Sequence, residues 1–185
     1  MTPQEIFDVL AARFGDASKS PTGGDAVSGF QAAAKDPWCV VQAGALRDVC
    51  LALRDEPALK FDYLQCLTGV DYPKENKIAV VYHLYSYPHR HAFVLKVMAD
   101  RADPVVPTVE DLWRVANWHE RECYDLLGVI FEGHPDLRRL LLPDDWVGFP
   151  LRKDWQEPDH YHGIPTTRPN PVELFAVGKK DKAAS

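Results

Sequence analysis

No two cysteines lie close enough in the sequence to begin a metal site. Cys39, Cys50, Cys66 and Cys123 are widely and irregularly spaced, and no Cys-x-x-Cys pair opens a zinc or iron-sulfur centre. Four reduced thiols, mostly buried as small hydrophobes, are the expectation. Basic charge is also scarce: acids outnumber Lys and Arg by 27 to 21, for a formal charge of -6. Phosphate neutralisation needs the opposite balance, so no nucleic acid is expected as a partner. No apolar run approaches the roughly 20 residues that cross a bilayer, since even 78–87 is interrupted by His83 and Ser86. Membrane contact is therefore expected only through partners. The first residues lack the basic segment and apolar stretch of a signal peptide, so the chain reads as intracellular. Gly-x-Gly-x-x-Gly, Walker-type loops and nucleophile elbows are absent from the sequence, which removes the usual marks of nucleotide binding and serine hydrolysis.

What is there suffices for one ordinary domain with an appendage: 185 residues, 46% of them hydrophobic. Thr2-Pro3-Gln4-Glu5 is a compact helix opening, with a Thr cap, Pro in the first turn and Glu placed to bond back. Ile6, Leu10 and Phe14 continue it as one apolar stripe, and Gly15 supplies the stop. Residues 16–25 read as a loop, 26–30 and 38–42 as short strands, and 45–55 as a helix whose Leu46, Val49, Cys50 and Leu53 share one face and which Pro57 ends. Strands follow at 63–68, 78–85 and 92–98. The last two are separated by Pro88-His89-Arg90 and read as an antiparallel pair. Thr108 and Asp111 repeat the capping signal, and 112–127 is compatible with one or two helical segments closed by Gly128. A Gly133-His134-Pro135 turn comes next. From about Pro150 onward periodicity is lost while five prolines accumulate, so 1–149 is expected as the domain and 150–185 as a tail or an arm laid on another protein.

Chemistry-bearing constellations are few. His119-Glu120-x-x-Cys123 resembles a zinc-protease helix with Cys in place of the second His; a helix whose side chains pack and pair is the plainer reading. His89 with His91, and His160 with His162, lack a third ligand and read as surface histidines. Adjacent acids such as Glu120 and Glu122, or Asp144 and Asp145, fit solvated or salt-bridged carboxylates better than an acid–base pair. The most concentrated feature is Trp118 through Asp125, three acids and an arginine beside two aromatics. Arg121 and Asp125 stand one helical turn apart and are able to pair. Arg138 and Arg139 follow the Gly-His-Pro turn, and Arg152 and Lys153 follow Pro150. Clusters of opposite sign on short constrained segments either satisfy each other or reach another subunit, and the sequence leaves both open.

The stretch Asp111-Leu112-Trp113, Ala116 to Glu122, Tyr124-Asp125-Leu126-Leu127-Gly128, Phe131 to Arg139 and Pro150-Leu151-Arg152-Lys153-Asp154 closely resembles the signature of the 30 kDa subunit of respiratory complex I. Leu67 to Pro73 and Val80 to Ser86 look like the same family, so the resemblance spans about 61–165. It implies an α+β fold: helix, two strands, helix and three strands forming a mixed sheet in two layers, then a helical signature region and an extended C-terminal arm. It implies a cofactor-free, non-catalytic subunit of a proton-translocating NADH:quinone oxidoreductase, on the cytoplasmic side of the inner membrane. FMN, iron-sulfur clusters and quinone would belong to other subunits of the complex. The partners implied are the hydrogenase-like large subunit of 49 kDa type and the rest of the peripheral arm. The residues carried over as signature or interface positions are Trp118, Glu120, Arg121, Glu122, Tyr124, Asp125, Gly128, Gly133, His134, Pro135, Arg138, Arg139, Pro150, Leu151, Arg152, Lys153 and Asp154. The same scaffold serves membrane-bound hydrogenases and ferredoxin- or F420-dependent dehydrogenases, which remain the alternative.

Overall fold

The structure is a computed structural model that describes residues 1–15 and 25–166. The expected loop at 16–25 lies almost wholly outside them. Helix α1 spans Pro3–Phe14 and opens as its sequence predicts: Thr2 Oγ1 accepts the Glu5 amide while Glu5 Oε2 accepts the Thr2 amide at 2.8 Å. Strands β1 (Val27–Gln31) and β2 (Trp38–Val41) follow, then a 3-10 turn at Ala43–Ala45 and helix α2 at Leu46–Asp55. Next come β3 (Tyr63–Tyr72), β4 (Lys77–Ser86) and β5 (His91–Asp100).

These strands form one five-stranded sheet in the order β1-β2-β5-β4-β3, antiparallel except where β2 runs parallel to β5. The α+β class and mixed sheet expected from the sequence are what the structure shows. Strand alternation places Ile78, Val80, Tyr82 and Leu84 on one face, where they join the buried residues of all three helices in a single core. That core includes Ile6 and Leu10 of α1, Val49 and Leu53 of α2, and Cys123 and Leu127 of the third helix. The opposite face has a small separate cluster, Ala79, Val81 and Val94 under Trp38, Val70, Tyr72 and Met98, with no helix over it.

Two short strands escaped the sequence reading: β6 (Val105–Pro107) pairs in parallel with β7 (Ile130–Glu132). The capping signal at Thr108 opens only a turn: its Oγ1 accepts the Glu110 amide at 3.2 Å and Trp113 N bonds to Val109 O, but no helix follows directly. Helix α3 begins only at Ala116 and runs to Leu127, after a series of turns. Thr108 also donates its hydroxyl to Glu120 of α3, and Asp111 makes a two-armed ion pair with Arg47 at 2.6 Å. The stop at Gly128 is as expected, with φ +77 and the glycine amide bonded to Tyr124 O. A Cβ at Gly69 would overlap Leu127 Cδ1, so the glycine lets α3 lie directly on β3.

Contacts divide the described residues after Asp154. Beyond that point His160–Tyr161 (β8) and Ile164–Pro165 (β9) form a small hairpin around His162 and Gly163, both at positive φ, as a two-residue turn of that kind requires.

Candidate functional site

Helix α3 carries two fully buried carboxylates, Glu120 and Asp125, both 0% exposed. Five residues separate them, so they leave the helix on different sides and meet different segments.

Glu120 meets the chain between β6 and α3. Thr108 Oγ1 donates to its Oε2 and the Val109 amide donates to its Oε1 at 2.8 Å. His134 Nε2 lies 3.9 Å from Oε2, with its side chain fully buried. The Asp136 amide donates to His134 Nδ1, so the ring hydrogen sits on Nε2 and points to Asn117 O at 3.3 Å. Burial pushes the Glu120 carboxyl up to about 7 despite the Thr108 and Val109 hydrogen bonds that pull it down. Tyr82 Oη, also fully buried, has no hydrogen-bond partner among the described residues, and burial together with Glu120 raises its pKa well above the ordinary value.

Asp125 meets the chain beyond the Gly-His-Pro turn. Its Oδ2 accepts the amides of Leu140, Leu141 and Leu142 at 3.0, 2.7 and 2.9 Å, and its Oδ1 accepts Arg139 Nη1 at 2.9 Å. Burial alone would raise this carboxyl, but three backbone donors and a guanidinium outweigh it and hold the group below the usual carboxylate range.

The expected one-turn pair between Arg121 and Asp125 does not form. Arg121 reaches the carbonyl oxygens of Arg138 and Arg139 at 3.3 and 3.4 Å, and comes within 3.9 Å of Asp136. Arg139 also donates to Trp146 O at 3.1 Å. The acidic helix and the arginine-bearing turn therefore satisfy each other, largely through backbone groups. Gly133, at φ +82, and Pro135 set the turn that brings His134 inward.

The Pro150-to-Asp154 segment closes the other end of α3. Arg152 Nε donates to Leu127 O at 2.7 Å, and its guanidinium lies over the Phe149 ring, 4.9 Å from the centroid. Leu151 N bonds to Leu126 O. The Gly128 position is crowded by the same segment, since a Cβ there would come within 2.6 Å of the Phe149 ring. Lys153 donates its amide to Asp71 Oδ2 at 2.8 Å, and Arg101 binds Asp71 through two nitrogens while also contacting Asp154. Asp71, with its side chain 0% exposed, and Arg101 were not singled out as site residues from the sequence. Nothing local marks them, because their partners lie 30 or more positions away.

Trp118, Glu122, Leu151, Lys153 and Asp154 are exposed, and Tyr124 and Pro150 half-buried. Arg138 is exposed and pairs with Asp136. Leu141 and Val147 are further apolar side chains held outward, 62% and 82% exposed. The three groups of the zinc-protease-like motif are committed elsewhere: His119 Nδ1 lies 3.1 Å from both Leu67 backbone atoms, Glu120 holds Thr108, and Cys123 is buried against the sheet. Among the described residues no group of three or more His, Cys, Asp or Glu is arranged to hold a metal, and no helix is long and apolar enough to cross a membrane.

Residues 39–161, more than half of the chain, match the family described as respiratory-chain NADH dehydrogenase, 30 Kd subunit. The chain belongs to this family. Among relatives, an NADH-quinone oxidoreductase subunit from Chlorobium phaeobacteroides is 44% identical over 159 residues, 85% of this chain and 91% of that one. Its counterpart from Chloroherpeton thalassium is 40% identical over 164 residues, which cover 88% of this chain but 65% of that longer protein. Among solved structures, the trypsin-resistant fragment of Nqo5 is 30% identical with a TM-score of 0.57, covering 74% of this chain and 100% of the fragment. A chain of an archaeal respiratory membrane complex, the membrane-bound sulfane sulfur reductase, is 26% identical with a TM-score of 0.63, covering 83% and 85%. The resemblance read from the signature is thus the family to which the chain belongs. The matched region takes in α3 and its two buried carboxylates, together with Arg139 and Arg152.

Proposed function

We propose that this 30 Kd family member is a non-redox subunit in the peripheral arm of a proton-translocating NADH:quinone oxidoreductase. It docks onto the hydrogenase-like large subunit of 49 kDa type, on the cytoplasmic side of the inner membrane. The assembly passes electrons from NADH through FMN and iron-sulfur clusters to quinone, and this chain holds none of those groups and has no catalytic residue. The domain of 1–149 supplies the docking surface, and 150–185 acts as the arm that engages partners.

One observation carries the reading: four charged signature residues that are buried or half-buried are spent on holding backbone. Asp125, Arg121, Arg139 and Arg152 bind backbone amides and carbonyls of 127–146. That arrangement suits a rigid platform better than a reacting site, since each charged group already has its partners. The platform leaves Trp118, Leu141, Val147 and Leu151 exposed, and large apolar side chains held outward on a fixed backbone are what a protein interface uses. A related membrane-bound complex with another electron donor or acceptor is the second reading, favoured by the likeness to the sulfane sulfur reductase chain.

Affinity purification of the full chain from native membranes in mild detergent tests both. Recovery of a hydrogenase-like large subunit together with flavin and cluster proteins that oxidise NADH supports the first reading. Recovery of the large subunit with hydrogenase or ferredoxin-dependent activity supports the second. A chain that comes through alone defeats both.

A further inference from the structure

The helices cover one face of the sheet only. On the other, Trp38, Val70, Tyr72 and Met98 pack on Ala79, Val81 and Val94 as one apolar layer, with no helix of the described residues over it. A groove of about 360 Å³ runs across this face, lined by Asp36, Trp38, Tyr72, Val81, His83 and Lys96 among others. A second depression is lined by Tyr63, Tyr85 and Tyr87, whose rings pack against one another. Trp and Tyr are the side chains that protein interfaces favour, because they bury much area with little loss of rotamer freedom.

The charges on this face identify what it takes. Lys77 is neutralised by Asp100 at 3.4 Å. Lys96, in the groove, lies with its ammonium 3.6 Å from the centroid of the Trp38 ring, and among the described residues it makes no ion pair. Burial lowers its pKa, and Asp36, which lines the same groove, makes no ion pair with it. A half-buried cation in an apolar groove is completed by an anion arriving from outside. A second copy of this chain suits the groove poorly, because it would bring another Lys96 to the same patch.

We infer that this open sheet face docks a neighbouring polypeptide whose contacting segment is apolar and carries an Asp or Glu that pairs with Lys96 beside Trp38. The surface is separate from the signature region, so the chain is gripped from two sides; the inference rests on the reading above that the chain works inside an assembly.

The test compares the full chain in isolation with the assembly recovered through a tag on it. Each is treated with an amine-acetylating reagent and, separately, with a carbodiimide that joins touching amines and carboxylates. In the assembly, Lys96 should acetylate about tenfold more slowly than in the isolated chain, as expected for a group closed off by an interface core. The carbodiimide should link Lys96 to an Asp or Glu of a different polypeptide. Lys96→Glu should cut recovery of that polypeptide by about tenfold or more, while the isolated variant melts at the parent temperature. Lys96→Met, which keeps the stem over Trp38 and loses only the charge, should weaken recovery less, and it serves if the reversal disturbs folding. Equal acetylation in both samples overturns the inference. So does protection without an inter-chain link, a link to Asp36 or to another copy of this chain, or unchanged recovery with both variants. Equal acetylation within a recovered assembly removes this inference alone, whereas a chain found in no assembly removes the proposed function as well.

Discussion

Glu120 and Asp125 leave the same helix, are both closed off from solvent, and are pushed in opposite directions: the first up to about 7, the second below the ordinary carboxylate range. Glu120 lies deeper in the protein, and the two carboxylates differ in their donors as well. Depth and donors together set the outcome. Glu120 has a hydroxyl and one amide, both neutral, whereas Asp125 has three amides and a guanidinium. A buried carboxylate stays ionised when enough oriented donors replace its lost water, and the region around it is then held firmly. The Asp125 end of α3 is accordingly an electrostatic clamp on 139–142, and the Glu120 end is a hydrogen-bonded joint that responds to pH.

The strongest way to break that contrast is Asp125→Asn. It strands three buried amides and Arg139 against an uncharged group, and should cost about 3–5 kcal/mol. Urea denaturation of the isolated chain would measure this, and amide exchange at Leu140 to Leu142 should speed up first. A loss under about 1 kcal/mol would show that the clamp carries no weight.

Glu120→Gln should behave otherwise. A folded value near 7 against an ordinary 4.5 means the folded state binds the proton more tightly. The resulting stabilisation is fully present below about 4.5 and is lost as pH rises through 7, a span of up to about 3 kcal/mol. Denaturation midpoints measured from pH 5 to 8 should fall for the parent and stay flatter for the variant, so that Glu120→Gln gains relative stability at the alkaline end. Asp125 contributes in the opposite sense: its lowered value gives stability present above the ordinary carboxylate range and lost as pH falls through its folded value.

Thr108→Val sharpens the comparison at one donor. It keeps the shape and removes the hydroxyl from Glu120, which should cost about 1–3 kcal/mol at pH 8 and less at pH 5, where the carboxyl is protonated. Arg138→Ala should have the smallest effect, under about 1 kcal/mol, because its guanidinium is exposed and pairs with an exposed Asp136. Thermal melts of the two variants at both pH values would place them in that order.

The first helix was legible because its signals are local: a Thr, a Pro and a Glu within four residues set its start, and the structure forms both capping bonds. Gly128 was legible for the same reason, as a left-handed stop after an apolar run. The same local rule reached only a turn at Thr108, whose hydroxyl accepts the Glu110 amide but also donates to Glu120, while Arg47 takes Asp111. Arg121 and Asp125, which their one-turn spacing would allow to pair, do not, because three successive amides and Arg139 already fill the Asp125 carboxylate. Strands β6 and β7 were invisible because three-residue parallel partners separated by a whole helix leave no periodicity to read.

Spacing and residue type alone therefore determined the main elements, the α+β class and, through the signature, the family. Which carboxylate is clamped, which one titrates, and that Lys96 faces an open groove were decided only when distant segments came together. Charge and burial are properties of surroundings, and the surroundings of Glu120, Asp125 and Lys96 are built by strands and turns far from them along the chain.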